Sequence, residues 1–90
     1  MIEYLGIGPE EARTRQDLVD ITGYPDRLIR DQISKLRKSG VPVVNFGKGY
    51  YISEDPAEIR KFIRIEYWSK MHDMRETASV LYDVAGVMEA

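Results

Sequence analysis

The sequence contains no cysteine, which excludes disulfides and thiolate-ligated zinc. Histidine occurs once, as His72, on a stretch that reads as an exposed helix position; it is assigned a surface or interhelical role. No nucleophile–base pair and no ligand cluster can be assembled, so neither an enzyme nor a cofactor or metal site is expected. No apolar run approaches the roughly 20 residues that span a bilayer, so no membrane association is expected. The opening residues MIEYLGIGPEEAR lack the basic start and long apolar stretch of a signal peptide, and a cytoplasmic location is expected. Gly47-Lys48-Gly49 is not a phosphate-binding P-loop, because neither the glycine spacing nor a following Ser/Thr and helix is present.

What is present suits one globular core: 90 residues, 43% hydrophobic and 31% charged. The net charge is −2, but it is unevenly spread. Residues 1–12 carry three acids and no base, residues 13–53 eight bases and four acids, and residues 54–90 five bases and eight acids. All the excess positive charge therefore lies in the middle of the chain.

That middle, from Thr14 to Ile52, carries the strongest local signals. Thr14-Arg15-Gln16-Asp17 has the form of a capping box, with a hydroxyl at the cap and an acid three residues on. Leu18, Val19 and Ile21 give the short helix an apolar face, and Thr22-Gly23 ends it. Tyr24-Pro25-Asp26 opens a second helix, with Pro in the first turn. Ile29, Ile33 and Leu36 form its apolar stripe, while Arg27, Arg30, Asp31, Ser34 and Lys38 lie opposite. Ser39-Gly40 stops it. Two short β-type runs then flank Gly47-Lys48-Gly49, predicting a hairpin with Lys48 at its tip and a backbone open to close approach. Before Thr14, the apolar residues Ile2, Tyr4, Leu5 and Ile7 read as a short first helix or an extended arm.

Asp55-Pro56-Ala57-Glu58 is another helix start, and the helix is expected to run close to thirty residues. Along it Tyr67, Met71, Met74, Ala78, Leu81, Ala85 and Met88 recur at alternating spacings of 4 and 3, a heptad seam suited to dimerisation. Val80, Val84 and Val87 add an adjacent stripe.

The order helix, turn, helix, hairpin suits a unit that presents one helix and one β-loop to a duplex. The run from Arg15 to Ile52 resembles the helix-turn-helix and wing of biotin-repressor-type winged-helix domains. The resemblance is carried by Gln16-Asp17-Leu18, Gly23, Asp26-Arg27-Leu28-Ile29-Arg30, Ile33, Leu36-Arg37-Lys38, Gly40-Val41-Pro42-Val43 and Gly47-Lys48-Gly49-Tyr50. In its compact layout the chain also looks like short winged-helix proteins encoded by prophages of Gram-positive bacteria. No biotin-ligase domain follows, so no biotin chemistry is implied.

The expectation is thus an α+β, mainly α, winged helix-turn-helix with a two-stranded wing at residues 1–53 and a packing or dimerisation helix at 54–90. The resemblance implies sequence-specific binding of double-stranded DNA through a recognition helix at 25–38 and a wing at 46–50, with transcriptional regulation as the role. Candidate DNA contacts are Arg15, Tyr24, Asp26, Arg27, Arg30, Asp31, Ser34, Lys35, Lys38, Lys48 and Tyr50, with Arg13 as a further phosphate contact. A homodimer through the C-terminal helix is expected, with folding back of its seam onto the winged domain as an alternative. The rival is a protein-interaction module that engages a replication or transcription partner through that helix.

Overall fold

The computed structural model describes residues 1–89, with side chains described through Met88. The protein is α+β and mainly helical. Helices α1 (Arg15–Thr22) and α2 (Asp26–Lys38) are followed by an antiparallel hairpin of β1 (Val43–Asn45) and β2 (Tyr50–Ile52). Helix α3 (Pro56–Ile63) and the long α4 (Ser69–Glu89) follow, joined by a π-helical turn over Arg64–Trp68. The chain divides into two compact units, Met1–Arg60 and Lys61–Ala90.

Local chemistry sets the helix ends in the first unit. The Thr14 hydroxyl accepts the Asp17 N–H at 3.0 Å, and the Asp17 carboxylate accepts the Thr14 N–H at 2.9 Å, completing the expected capping box. Gly23 closes α1, its N–H donating to the Val19 carbonyl. Helix α2 begins one residue later than expected. Pro25 is extended (φ −65°, ψ 152°) and occupies the cap, so its missing N–H falls just outside the helix. At the other end, Val41 N–H donates to Leu36 O and Gly40 N–H to Arg37 O, a Schellman closure. It turns Leu36 and Val41 onto the core together.

The core is Leu5, Leu18, Ile29, Ile33 and Val43, each at most 8% exposed. Burial of such a side chain contributes about 1.5–3 kcal/mol. The short α1 is marginal alone and is held through Leu18, which is fully buried. In the hairpin Val43 pairs with Ile52, Val44 with Tyr51 and Asn45 with Tyr50.

The N-terminal segment is an arm. No α-helix precedes Arg15 among the described residues; Ile2–Tyr4 and Pro9–Glu11 form single 3-10 turns. Gly6, Gly8 and the Pro9 turn prevent a continuous helix, and the backbone bonds to the free side of β2 instead. Ile52 N–H donates to Gly6 O, Gly8 N–H to Ile52 O, and Arg13 exchanges both backbone bonds with Tyr50. Strand β2 is therefore hydrogen-bonded on both sides, by β1 and by the arm.

The helix start at Asp55 also differs in detail. The Asp55 carboxylate caps the Ala57 N–H, but Glu58 does not reach back to Asp55; it accepts the Ser53 hydroxyl at 2.5 Å. Ser53 and Tyr51 are both buried beside it. Burial first, then the hydrogen bond and charge of Glu58, push the Tyr51 phenol up to about 12. These ties join the first turn of α3 to the hairpin within the first unit, Met1–Arg60.

In the second unit the π-turn is marked by the Ser69 hydroxyl donating to Arg64 O. Phe62 and Tyr67 stack edge to face at 5.9 Å. Exposed i,i+4 pairs, Glu66 with Lys70 and His72 with Glu76, line the helix surface. Among the described residues no helix is long and apolar enough to cross a membrane.

Candidate nucleic-acid interface

Helix α2 divides into faces by its own periodicity. Burial of Ile29 and Ile33 fixes the inward direction. At 100° per residue, Arg27, Asp31, Ser34 and Lys38 then form the stripe opposite, and all four are exposed. Arg27, Asp31, Lys35 and Lys38 make no ion pair or side-chain hydrogen bond among the described residues. The stripe is thus three donors around one acceptor, on a rigid helix whose base is buried. Such a face can meet both base edges and phosphates.

Asp26 has a different role from a free contact. Its carboxylate takes Arg15 Nε at 3.3 Å and Arg30 Nε at 3.1 Å, so one acid at the start of α2 gathers a cation from each helix. Each of the three side chains is 46–58% exposed, so the cluster contributes little stability. Its effect is to hold two guanidiniums beside the α1–α2 turn. Tyr24, in that turn, is exposed, and its N–H is held by the Thr22 hydroxyl.

The hairpin loop places Lys48 in solvent, between two glycines of positive φ. The Asn45 side chain organises the loop by accepting the Gly47 N–H at 2.8 Å and the Gly49 N–H at 3.4 Å. The two glycines differ in the space around them. A Cβ on Gly47 would meet nothing within 4 Å, whereas one on Gly49 would lie 2.5 Å from the Arg13 carbonyl carbon. Gly49 is buried, and its smallness serves the arm crossing over it.

Two expected contacts are turned inward. Arg13 donates from Nη1 to the Tyr4 carbonyl at 2.9 Å and is half-buried, so its guanidinium ties down the arm and is not a free phosphate ligand. Tyr50 is half-buried against the core and carries the Arg37 guanidinium 5.9 Å from its ring centre. Arg37 also donates from Nε to Val43 O at 2.8 Å, linking α2 to the hairpin. By sequence alone Arg37 is one of three cations at the end of α2. Its position four residues after Ile33, on the flank of the buried stripe, was the available signal.

The seam residues Tyr67, Met71, Met74, Leu81 and Met88 are 43–82% exposed, and Ala78 and Ala85 are exposed with them. Val80, Val84 and Val87 are likewise exposed. So much apolar surface on one helix is unusual for a finished soluble surface.

Compared with family models, curated proteins and solved structures, the chain matches none.

Proposed function

We propose that this chain is a winged helix-turn-helix protein that binds duplex DNA with sequence preference and regulates transcription. Helix α2 is the recognition helix and the 46–49 loop is the wing. One observation carries the reading: the exposed Arg27–Asp31–Ser34–Lys38 stripe on a helix anchored by Ile29 and Ile33. Lys48 on the hairpin and Lys35 beside the stripe add unpaired cations to the same unit. In this reading Arg27 reads base edges, with Asp31 limiting which bases fit. Lys35, Lys38 and Lys48 grip phosphates, Asp26 positions Arg15 and Arg30, and Tyr50 supports Arg37. The exposed seam of α4 joins two copies, so that one dimer spans two half-sites.

Selection from random duplexes, followed by titration of the selected site and a scrambled control, tests the assignment. Arg27→Ala should cost roughly 1–3 kcal/mol on the selected site and narrow the gap to the control. Lys48→Ala should weaken both duplexes equally. No duplex binding at low salt would refute the proposal. It would favour a second reading, prompted by the exposed apolar side chains of α4, in which that helix engages a protein partner.

A further inference from the structure

The seam of α4 has an internal size pattern. Labelling Met71, Ala78 and Ala85 as a positions and Tyr67, Met74, Leu81 and Met88 as d positions, two of the three a residues are alanine and all four d residues are large. The alanines leave shallow hollows. The surface beside Ala78 is bordered by Met74 and Leu81, that beside Ala85 by Leu81 and Tyr82, and both lie open to solvent.

A parallel pair stacks a on a and d on d. Ala78 would face Ala78 and Ala85 would face Ala85, leaving both hollows unfilled, which close-packed interfaces do not tolerate. An antiparallel pair stacks a on d. With the axis between Ser79 and Val80, Ala78 receives Leu81 of the second copy, Ala85 receives Met74, and Met71 meets Met88. Every alanine then faces a large side chain.

Charge gives the same answer independently. Lys70 precedes Met71 and Arg75 follows Met74, which puts them at the g and e edges of the seam. In a parallel pair Lys70 of one helix faces Arg75 of the other, twice by symmetry, and like charges oppose. In the antiparallel pair Arg75 lies beside Tyr82 of the second copy, and the repulsion is absent.

We infer that α4 pairs with α4 of a second copy of this chain in antiparallel orientation, centred between Ser79 and Val80. The inference rests on the dimer proposed above and adds its direction and register. At 1.5 Å per residue the two copies of residue 61 then lie about 55 Å apart along the axis, where a parallel pair would hold them side by side. The two first units would be tethered at opposite ends of the coil.

Spin labels on the full chain test this, helped by the absence of native cysteine. Ser69→Cys and Glu76→Cys place labels on the outer face, away from the seam. Allowing 8–10 Å between axes, double electron–electron resonance should read about 35 Å at position 69 and about 18 Å at position 76. A dimer with about 15 Å at both positions would overturn the antiparallel register and leave the dimer standing. Monomers by sedimentation at tens of micromolar would overturn both. Duplex binding by the first unit, titrated separately, reports on the DNA reading whichever outcome holds.

Discussion

Gly49 is where the hairpin loop, strand β2 and the N-terminal arm meet, and replacing it tests that packing quantitatively. A Cβ there would sit 2.5, 2.7 and 2.8 Å from C, O and N of Arg13, all of them backbone atoms that no rotamer can move aside. The same residue has φ +124°, where side chains other than glycine are strained by about 1–3 kcal/mol. To admit the methyl, the Arg13 segment must withdraw from its two backbone bonds with Tyr50, each worth about 0.5–1.5 kcal/mol. Gly49→Ala should therefore cost about 2–6 kcal/mol. Gly47→Ala is the internal control. It carries the same kind of strain at φ +103°, but its Cβ meets nothing within 4 Å. The entropy that alanine removes from the unfolded chain is common to both variants and cancels in the comparison. The gap between them, about 1–3 kcal/mol, isolates the clash with the arm. At about 4–8 °C per kcal/mol it should appear as a clearly lower midpoint for Gly49→Ala in thermal melts. Equal midpoints for the two variants would mean that the arm does not cross Gly49.

Two further predictions concern the same unit. Thr14→Ala removes the acceptor of the capping box and should lower stability by about 1 kcal/mol in urea unfolding; no change would place the start of α1 elsewhere. Tyr51 ionises at about 12 when folded, against about 10 for a free phenol, so the protonated form is the one the fold favours. Its contribution is complete below pH 10 and is lost as pH rises from 10 through 12. Tyr51→Phe should therefore lose less stability than the parent between pH 9 and pH 11 in urea titrations, and parallel pH profiles would contradict the burial of Tyr51 beside Glu58.

What the sequence disclosed was what neighbouring residues decide among themselves. Thr14 and Asp17 are three apart and satisfy each other's caps; Ile29, Ile33 and Leu36 repeat at helical spacing; Gly40 closes α2 within one turn. The hairpin register follows from two short apolar runs and a four-residue loop. Contacts distant along the chain left no such mark. The need for glycine at 49 comes from Arg13, thirty-six residues earlier, so sequence reading attributed it to a partner. Arg13 itself read as a surface cation because nothing local reveals the Tyr4 carbonyl it serves. The arm read equally well as a short helix, because the deciding partner is β2. At the candidate interface the exposed stripe was legible from periodicity, but the inward use of Arg13 and Tyr50 and the clamping by Asp26 depend on tertiary placement. The π-turn at Arg64–Trp68 has no signature in the apolar spacing of the long helix.

A surface that grips phosphates needs cations that have no partner within the fold. Arg27, Lys35, Lys38 and Lys48 are exposed and unpaired among the described residues. If Lys35, Lys38 and Lys48 each neutralise one phosphate while Arg27 reads base edges, the logarithm of duplex affinity should fall with the logarithm of salt concentration at a slope of about −3 per bound first unit. Fluorescence anisotropy with a labelled duplex between 50 and 300 mM salt measures this directly. The predicted result is a slope near that value, becoming shallower by about one in Lys48→Ala. A slope near zero, or one unchanged by removing Lys48, would contradict a phosphate-gripping surface on this unit.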